Sequence, residues 1–536
     1  MFGLLITLKL LLTAQAVAAT TRNCRQDNSV LFLPLDERFT TRDIFINLAK
    51  QAPLCVISPP IEYLPSRKVP ANLTAIDLWI QGNIAKVDTF ILSSEMYLYG
   101  GLINSRISND TFSAIESRLN KLIRFRMTYP NLRHVYVSEV VMRIPAYNGD
   151  FEEPWYWADY GYAIFNYSFY TDKYNQVKDP EALAIANLAK EQIPSNALDE
   201  FLWRRQRNFN ISSLMVESMR SKQAFDYCYI TMDDSAEYGF NIREASTLKE
   251  MVSTYELNAL IPIYPGADEV LLTLLSMHST LKQQYAVRIA IIYRVSDTIN
   301  YIPGYEGQPM VDTLMQQLAA AGGVALTASD IDSADAILLV NNFDTSYQEE
   351  AADQPENPNP NDYLGFDDAI SLAISLKKTI GFCDNRYANG GDFGFVSYMN
   401  NQLLSKSDFG LQMSAYAGWN TNGNTLGTVI SNLIILTLFK DGVDNEAFQL
   451  LRITEDLYYQ SKTRQELKGY VEQITDSEEN SSNLTPDLEF YKKYAFKILE
   501  PRYHDIAEMY GLNYQLTSVY YPWNRTFEMG FYSSWN

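Results

Sequence analysis

The feature of the sequence that most directly suggests chemistry is a pair of adjacent carboxylates, Asp233 and Asp234, at the end of a hydrophobic run. Like charges held close together raise the pKa of one of them, which produces a general acid beside a negatively charged partner. Glycoside hydrolysis needs such a pair, and in its substrate-assisted form one carboxylate orients a 2-acetamido group of the sugar. The pair predicts a glycoside hydrolase, with N-acetylhexosaminides as one substrate class. The alternative for Asp234 is a helix N-cap.

Other polar and aromatic clusters also follow the C-terminal ends of predicted strands. Parallel α/β proteins bind ligands at this end, because loops and helix N-termini converge there. The candidate substrate-binding residues are Asp36, Arg38, Glu95, Tyr99, Arg106, Glu139, Arg143, Tyr238, Asp268, Glu269, Asp384, Asn385, Asn389, Asp392, Tyr416, Trp419, Asn420 and Asn424. We expect one common cleft for Asp36, Glu95, Glu139, Asp233, Asp268, Asp384 and Trp419. For any single cluster the alternative is a turn or a helix cap.

Two further functions remain open. Asp233, Asp234, Asp268 and Glu269 are oxygen ligands suited to a divalent cation, which would make the protein a metal-assisted hydrolase. The aromatic residues also suit a carbohydrate-binding surface protein without catalysis. The ring-rich segment 155–170 is expected to line a carbohydrate cleft as a loop or to form a small peripheral core.

Several chemistries are disfavoured. The three histidines, His134, His278 and His504, lie outside the clusters, which argues against a Ser-His-Asp triad and a His-rich zinc site. The Gly-rich segments 99–102 and 389–392 lack the lysine of a P-loop and the spacing of a dinucleotide fingerprint. We therefore predict no cofactor and assign no metal ligand. The expected partner is a carbohydrate or another small polar substrate.

The elements that position these clusters alternate along the chain. Short runs rich in β-branched and aromatic residues are followed by longer helical patterns, which indicates parallel βα units. Strands are predicted at 30–35, 54–58, 89–93, 134–141, 227–232, 259–264, 287–293, 336–340, 379–383 and 411–416. Without 287–293 and 336–340, eight strands remain, the number that closes a (βα)₈ barrel. An open doubly wound sheet is the alternative.

The predicted organisation has five parts. A signal peptide covers 1–19, and a βα region of catalytic type covers 28–284. A flavodoxin-like insert with an acidic, Pro-rich loop covers 285–378, and 379–440 supplies the last βα units that complete the site. The segment 441–536 is predicted to be a helical C-terminal cap. The apolar run 426–439 is interpreted as a buried helix rather than a membrane span.

Charge and cysteines indicate the environment. A net charge of −21 argues against nucleic-acid binding and against docking on anionic membranes. The apolar N-terminal run followed by small residues predicts export, so the protein is expected to be secreted. In an oxidising compartment Cys24 is expected to pair with Cys55, whereas Cys228 and Cys383 are expected to be buried thiols. Sequons compatible with glycosylation begin at Asn72, Asn109, Asn166, Asn210, Asn480, Asn483 and Asn524.

Six segments, in this order, resemble motifs of domain-of-unknown-function family 4127, which is found mostly in bacteria: LPLDER, SSEMYLYGGLINSR, MDDSAEYG, PGADE, DNRYANGGD and AYAGWNTNGNTLGT. The resemblance runs from about Val30 to Ile430, and the last two motifs are the most specific. Phe39 stands where the family usually has proline, and Glu95 stands where aspartate is expected. The resemblance implies the fold and the location of the site, and it implies no particular reaction.

Overall fold

The structure is a computed structural model that describes residues 24–404, 409–440, 445–475 and 483–535. The predicted signal peptide 1–19 and the sequon at Asn480 lie outside the described residues. The fold is α/β, as the sequence predicts, and it is built on two parallel sheets.

The first sheet is formed by the N-terminal half of the chain. Its strands are Ser29–Leu33 (β1), Cys55–Ile57 (β2), Thr89–Ser93 (β3), His134–Val141 (β4), Tyr227–Met232 (β5) and Ile263–Pro265 (β6). The strand order is β2-β1-β3-β4-β5-β6, and all neighbours are parallel. The chain reverses direction across the sheet between β1 and β3, which is the kind of switch point where open α/β sheets bind ligands.

The second sheet is also an open parallel sheet in which the chain reverses direction across the sheet. Its strands are Val287–Tyr293 (β7), Gly323–Leu326 (β8), Ala336–Asn342 (β9), Thr379–Asn385 (β11) and Ser414–Ala417 (β13). The order β13-β11-β9-β7-β8 is flavodoxin-like, because the second strand of the unit lies outside the first. The flavodoxin-like unit therefore extends through both 285–378 and 379–440, whereas the sequence predicts such a unit only at 285–378.

Two small strand pairs complete the sheets of the described chain. Glu349–Glu350 (β10) pairs with Tyr387–Ala388 (β12), and Tyr514–Tyr520 (β14) forms an antiparallel hairpin with Gly530–Trp535 (β15). The segment 441–536, predicted to be a helical C-terminal cap, therefore also contains this hairpin. The strands lie in open sheets, so the (βα)₈ barrel is not confirmed, and the topology is consistent with the doubly wound alternative.

Helices connect the strands. They are Asp43–Ala49 (α1), Leu73–Asn83 (α2), Ser94–Tyr99 (α3), Leu102–Ile107 (α4), Phe112–Ile123 (α5), Phe125–Thr128 (α6), Trp157–Val177 (α7), Pro180–Glu191 (α8), Ser195–Lys222 (α9), Phe240–Thr254 (α10), Val270–Gln283 (α11), Met310–Ala320 (α12), Asp367–Ser375 (α13), Phe393–Leu404 (α14), Asn422–Leu438 (α15), Asn445–Arg452 (α16), Arg464–Thr475 (α17) and Leu488–Met509 (α18). A π-helix, Ile453–Thr463, joins α16 to α17.

The sheets are joined by a shared apolar core. Phe32 of β1 and Phe382 of β11 belong to the same buried cluster, which also contains Phe531 of the C-terminal hairpin. Helices α11 and α15 pack against each other between the two sheets. Helix α15 is buried along most of its length, which confirms the interpretation of 426–439 as a buried helix. No helix within the described ranges has both the length and the apolar character needed to cross a membrane.

Two local predictions have clear outcomes. Cys24 and Cys55 form a disulfide, and Cys228 and Cys383 are free and buried, as expected. The aromatic segment 155–170 is mostly part of helix α7 and is not a loop. Its Tyr156 and Trp157 lie in a small separate core, so the structure favours the peripheral-core alternative.

Candidate active site

Loops at the carboxyl ends of the two sheets meet each other. The amide of Asp268, which follows β6, donates to Asn424 Oδ1 in the first turn of α15 at 3.1 Å. The amide of Ser235, which follows β5, donates to the carbonyl oxygen of Tyr305 at 2.8 Å. The clusters at the strand ends therefore face a boundary between the sheets, a usual place for a ligand site in α/β proteins.

Arg38 is the centre of the first group of charges at this boundary. The amide and the Nε of Arg38 each donate to Asp36 Oδ1 at 3.0 Å, so a turn after β1 fixes the side chain. The guanidinium also donates to both oxygens of Asp268, at 2.5 and 3.0 Å, and to Glu528 at 3.3 Å. All four residues are buried, and such burial is tolerable because the charges are paired.

Glu152 is the centre of the second group. It accepts from Arg106 at 3.0 Å and from Arg143 at 2.9 Å, and it also pairs with Arg525. Burial opposes ionisation of Glu152, but Arg143, Arg525 and Arg106 together hold its pKa well below the usual range. The neighbouring Glu153 accepts from Arg143 Nε at 2.8 Å. Arg525 also binds Glu528, which connects this group to Arg38.

We refer to these connected charges as the ion-pair network. Within the described residues it consists of Arg38, Arg106, Arg143 and Arg525 with Asp36, Glu152, Glu153, Asp233, Asp234, Asp268 and Glu528.

The carboxylate pair lies at the solvent-accessible end of the network. Arg106 binds Asp233, and Arg143 Nη1 donates to Asp234 Oδ2 at 2.6 Å. The side chains of Asp233 and Asp234 are 14% and 24% exposed, whereas those of Arg106 and Arg143 are 2% and 9% exposed. The guanidinium groups therefore hold the pair from the inside and leave its outer side open to a ligand.

The environment of Asp234 favours its protonated form. Burial and the charge of Asp233 raise the pKa of Asp234 to about 6, against the opposing effect of Arg143 and Arg106. Burial also raises the pKa of Asp268, to about 7, although Arg38 opposes this. Asp268 is only 6% exposed and both of its oxygens are bound by Arg38, so Asp234 is the better placed of the two to meet a substrate.

Asp234 does not cap the helix that follows it. Helix α10 begins at Phe240, and its N-cap residue is Gly239. The first free amides of this helix are satisfied by Asp172 and Ser168 of α7. The N-cap alternative for Asp234 is therefore wrong.

The second sheet contributes a polar edge to the site. Tyr305 Oη donates to Glu350 Oε1 at 2.7 Å, and Asn389 Nδ2 donates to Glu350 Oε2 at 2.8 Å. The amide of Asn389 donates to the carbonyl oxygen of Asn420 at 2.7 Å. Asn389 and Asn420 both have left-handed backbone conformations, with φ of 61° and 58°. Asparagine tolerates this conformation, which explains its presence at these two turns.

The C-terminal segment 523–527 covers the ion-pair network with the aromatic rings of Trp523 and Phe527. The guanidinium carbons of Arg38 and Arg525 lie 4.3 and 4.7 Å from the centre of the Trp523 ring. Arg464 lies 4.2 Å from the centre of the Phe527 ring, whose edge also meets Trp419 at 5.6 Å between centroids. Cation–π contacts of this kind help to hold guanidinium groups away from water.

The π-helix Ile453–Thr463 supports this covering segment from below. Tyr459 donates to the carbonyl oxygen of Thr526, and Gln460 donates to that of Phe527 at 2.9 Å. Asp456 accepts from the amide of Gly418 at 2.8 Å. π-Helical turns are rare and are frequent at functional sites, so the position of this one agrees with the location of the candidate site.

The structure does not bring all the proposed site residues to this network. Glu95 accepts from the amide of Val140, and Glu139 accepts from Ser212, both inside the first sheet's layer. Burial, followed by the charge of Glu95, raises the pKa of Glu139 to about 8. Tyr99 is also buried there, under Arg207.

A second interior group lies at the end of the second sheet. Asp384 accepts from the amide of Asp392 at 2.7 Å and from Tyr416 Oη at 3.1 Å. Asn385 donates to Asn422 at 2.5 Å.

Two other proposed site residues follow strands of the first sheet and also have partners outside the network. Glu269 accepts from Gln317 at 2.8 Å, and Tyr238 packs on Phe169. Seven residues were expected in one cleft. Asp36, Asp233 and Asp268 share the ion-pair network, and Trp419 contacts the aromatic rings that cover it. Glu95, Glu139 and Asp384 have other partners.

Sequence reasoning missed the residues that link the groups, namely Glu152, Glu153, Tyr305, Glu350, Arg464, Trp523, Arg525, Phe527 and Glu528. One signal was available for Tyr305, because Gly304 and Gly307 flank it soon after the end of β7. A surface groove of about 400 Å³ adjoins the network beside Trp523, and it is lined by Ser66, Arg67, Lys68, Val69, Asp150, Phe151, Asn483, Thr485, Pro522, Trp523 and Asn524.

The four carboxylates considered as metal ligands already have partners. Asp233, Asp234 and Asp268 are bound by arginines, and Glu269 is bound by Gln317. In the part of the chain that the structure describes, no three His, Cys, Asp or Glu residues are grouped so that they could hold a metal ion.

Comparison with protein-family models gives a match over nearly the whole chain. A family model described as "Protein of unknown function (DUF4127)" matches residues 30–532, nearly the whole chain. No curated protein and no solved structure matches the chain significantly. The match confirms the resemblance drawn from the six motifs and extends it beyond Ile430 into the C-terminal region that covers the network. The chain therefore belongs to the DUF4127 family.

Proposed function

We propose that the protein is a secreted glycoside hydrolase in which Asp234 is the general acid and Asp233 its negatively charged partner. The observation that carries the proposal is the environment of Asp234. It is the most exposed carboxylate of the ion-pair network, at 24%, and its pKa of about 6 lies close to neutral pH. A general acid works best when its pKa is near the working pH.

The two carboxylates have different roles in this proposal. Protonated Asp234 donates its proton to the glycosidic oxygen as the bond to the leaving sugar breaks. Arg106 holds Asp233 in place, and Asp233 then faces the reacting sugar as a carboxylate. On an N-acetylhexosaminide this carboxylate orients the 2-acetamido group, which attacks the anomeric carbon in the substrate-assisted mechanism.

The rest of the site supplies the contacts that a sugar needs. Asn389 and Asn420 offer amide groups for hydroxyls, and the exposed ring of Tyr305 offers an apolar face. The Cys24–Cys55 disulfide supports the secreted location, because such bonds persist in oxidising compartments.

The first experiment is a screen of the purified protein against aryl glycosides, including N-acetylhexosaminides. On any substrate that is turned over, Asp234→Asn is expected to lower kcat by about 10²–10⁴-fold, because Asn keeps the size and hydrogen bonding of Asp but cannot supply the proton. The matched control is Asp335→Asn, which removes a surface carboxylate paired with Arg288 and is expected to leave kcat unchanged.

Three results would point elsewhere. Full activity in Asp234→Asn would refute its role as the acid. Inactivation of the wild type by a chelator, with recovery in excess divalent cation, would favour the metal-assisted alternative. Carbohydrate binding that does not change with pH, without turnover of any glycoside, would favour a binding protein.

A further inference from the structure

The loop that carries Tyr305 is anchored on both sides of the candidate site. The amide of Gly304 donates to Gln348 at 3.1 Å, and the carbonyl of Tyr305 accepts from the amide of Ser235. Glu306 accepts from the amide of Gly423 at 2.5 Å. These contacts connect the loop to both sheets.

Gly307 brings this loop unusually close to the strand end that carries the carboxylate pair. A Cβ atom at Gly307 would lie only 2.6 Å from the carbonyl oxygen of Ala236, two residues after Asp234. Only glycine permits this approach. The position of Tyr305 relative to Asp234 is therefore fixed by close packing as well as by hydrogen bonds.

The backbone of Tyr305 is strained. Its φ is 66°, a left-handed conformation that is unfavourable for a bulky side chain. Among the other described residues with positive φ that are not glycine, five follow helix ends and three are asparagines, namely Lys178, Gln223, Glu256, Gln284 and Lys377 in the first group and Asn389, Asn420 and Asn524 in the second. Arg67 lies in a tight turn closed by backbone hydrogen bonds between Ser66 and Val69. Tyr305 has none of these explanations, and strain retained in this way is most common at functional sites.

The ring of Tyr305 is held in place but remains open to solvent. The residue is 44% exposed, while its hydroxyl is fixed by Glu350, which Asn389 also binds. Burial raises the pKa of the Tyr305 hydroxyl, and the charges of Glu350 and Asp234 raise it further.

We propose that Tyr305 is a substrate-binding platform, on which a pyranose ring stacks beside Asp234. This role rests on the proposed glycosidase function and adds a positioning residue that fixes the sugar next to the acid. The apolar face of a pyranose ring matches the flat face of tyrosine, and a fixed ring loses little entropy when the sugar binds. The strained backbone conformation of Tyr305 is the energetic cost of fixing its ring beside Asp234.

The test combines binding and stability in the Asp234→Asn background, where a substrate of the screen binds without being consumed. Tyr305→Ala is expected to weaken binding roughly 10-fold, and Tyr305→Phe is expected to leave it within about 3-fold, because the ring is retained. Tyr305→Gly is expected to weaken binding equally and to raise the melting temperature, because glycine relieves the strained backbone. The control is Tyr301→Ala, a tyrosine that is 43% exposed on the same connection and is expected to leave binding unchanged.

The outcomes separate the two proposals. If the sugar binds the Tyr305→Ala and parent proteins equally, the platform is wrong and the hydrolase proposal stands. If Tyr305→Gly lowers the melting temperature, the side chain is a packing residue and the platform is also wrong. If neither the wild type nor the Asp234→Asn protein binds or hydrolyses any glycoside of the panel, the proposed function fails, and the platform fails with it.

Discussion

Replacing Arg143 by glutamine tests whether Asp234 is the acid of the reaction. Arg143 Nη1 donates to Asp234 at 2.6 Å and is among the groups that lower the pKa of this carboxyl. A neighbouring cation lowers a carboxyl pKa by about 1–3. Arg106 remains near Asp234 in the variant and the carboxyl is partly exposed, so we use the lower end of this range. The pKa of Asp234 is then expected to rise from about 6 to about 7.

The sign of the effect on activity follows from the role of the proton. A general acid must be protonated, so kcat/KM falls as the pH rises through its pKa in the free enzyme. In Arg143→Gln this alkaline fall is expected to begin about one pH unit higher than in the wild type, which corresponds to about 1.4 kcal/mol. Arg143→Lys keeps the positive charge, and its profile is expected to stay close to that of the wild type.

The assay is kcat/KM against pH, from about 4 to 9, on the best substrate of the glycoside screen. The variant also loses a partner of Glu152 and Glu153, so its unfolding free energy is expected to fall by about 3 kcal/mol. Unfolding in denaturant at each pH checks that the protein is folded over the whole range. An alkaline limb that stays in place, or that moves to lower pH, would refute the assignment of Asp234.

Two further predictions concern stability. Glu139 has its pKa raised to about 8 by burial, so the folded protein keeps a proton that the unfolded chain loses above about 4.5. The wild type is therefore expected to lose about 3–5 kcal/mol of unfolding free energy relative to Glu139→Gln as the pH rises from about 4.5 to 8. Denaturant unfolding of both proteins as a function of pH measures this difference. If the unfolding free energies of the two proteins change with pH in parallel, the prediction is wrong. The Cys24–Cys55 disulfide closes a separation of 31 residues, so Cys24→Ser is expected to cost about 3–4 kcal/mol of unfolding free energy under oxidising conditions. Mass spectrometry of the wild type checks the bond directly, and free thiols at Cys24 and Cys55 in the folded protein would contradict it.

The sequence predicts strand bounds well where they depend on local patterns of apolar and polar residues. Strands Thr89–Ser93, His134–Val141, Tyr227–Met232 and Val287–Tyr293 agree with their predicted bounds, because their apolar runs end in polar clusters that start the next loop. The polar clusters after Ser29–Leu33, Tyr227–Met232 and Ile263–Pro265 contain Asp36, Asp233 and Asp268, so part of the network was visible as residue types at strand ends.

What the sequence could not predict is which strands and charges become neighbours. Arg38 binds Asp268 and Glu528, which lie 230 and 490 positions away along the chain. Only the packing of the C-terminal segment over the first sheet creates the second contact, and no local pattern encodes it. The (βα)₈ barrel is not confirmed for a related reason. Counting strands does not reveal their spatial order, and the short strand Gly323–Leu326 was not predicted.

Burial and the charge balance of the network give a physical reason why the pKa of Asp234 is raised. In the described part of the chain, the network places seven carboxylates around four guanidinium groups, and a buried excess of negative charge is costly. Burial is the main reason why the pKa values of Glu153, Asp268 and Asp234 are all raised even though each carboxyl touches an arginine, and the charges of neighbouring carboxylates raise them further. Glu153 and Asp268 are enclosed, at 2% and 6% exposure, so a proton held there has little access to a substrate. Asp234 is the one of these three that reaches solvent, at 24% exposure, and this is why we propose Asp234, rather than Glu153 or Asp268, as the group that would protonate a glycosidic oxygen.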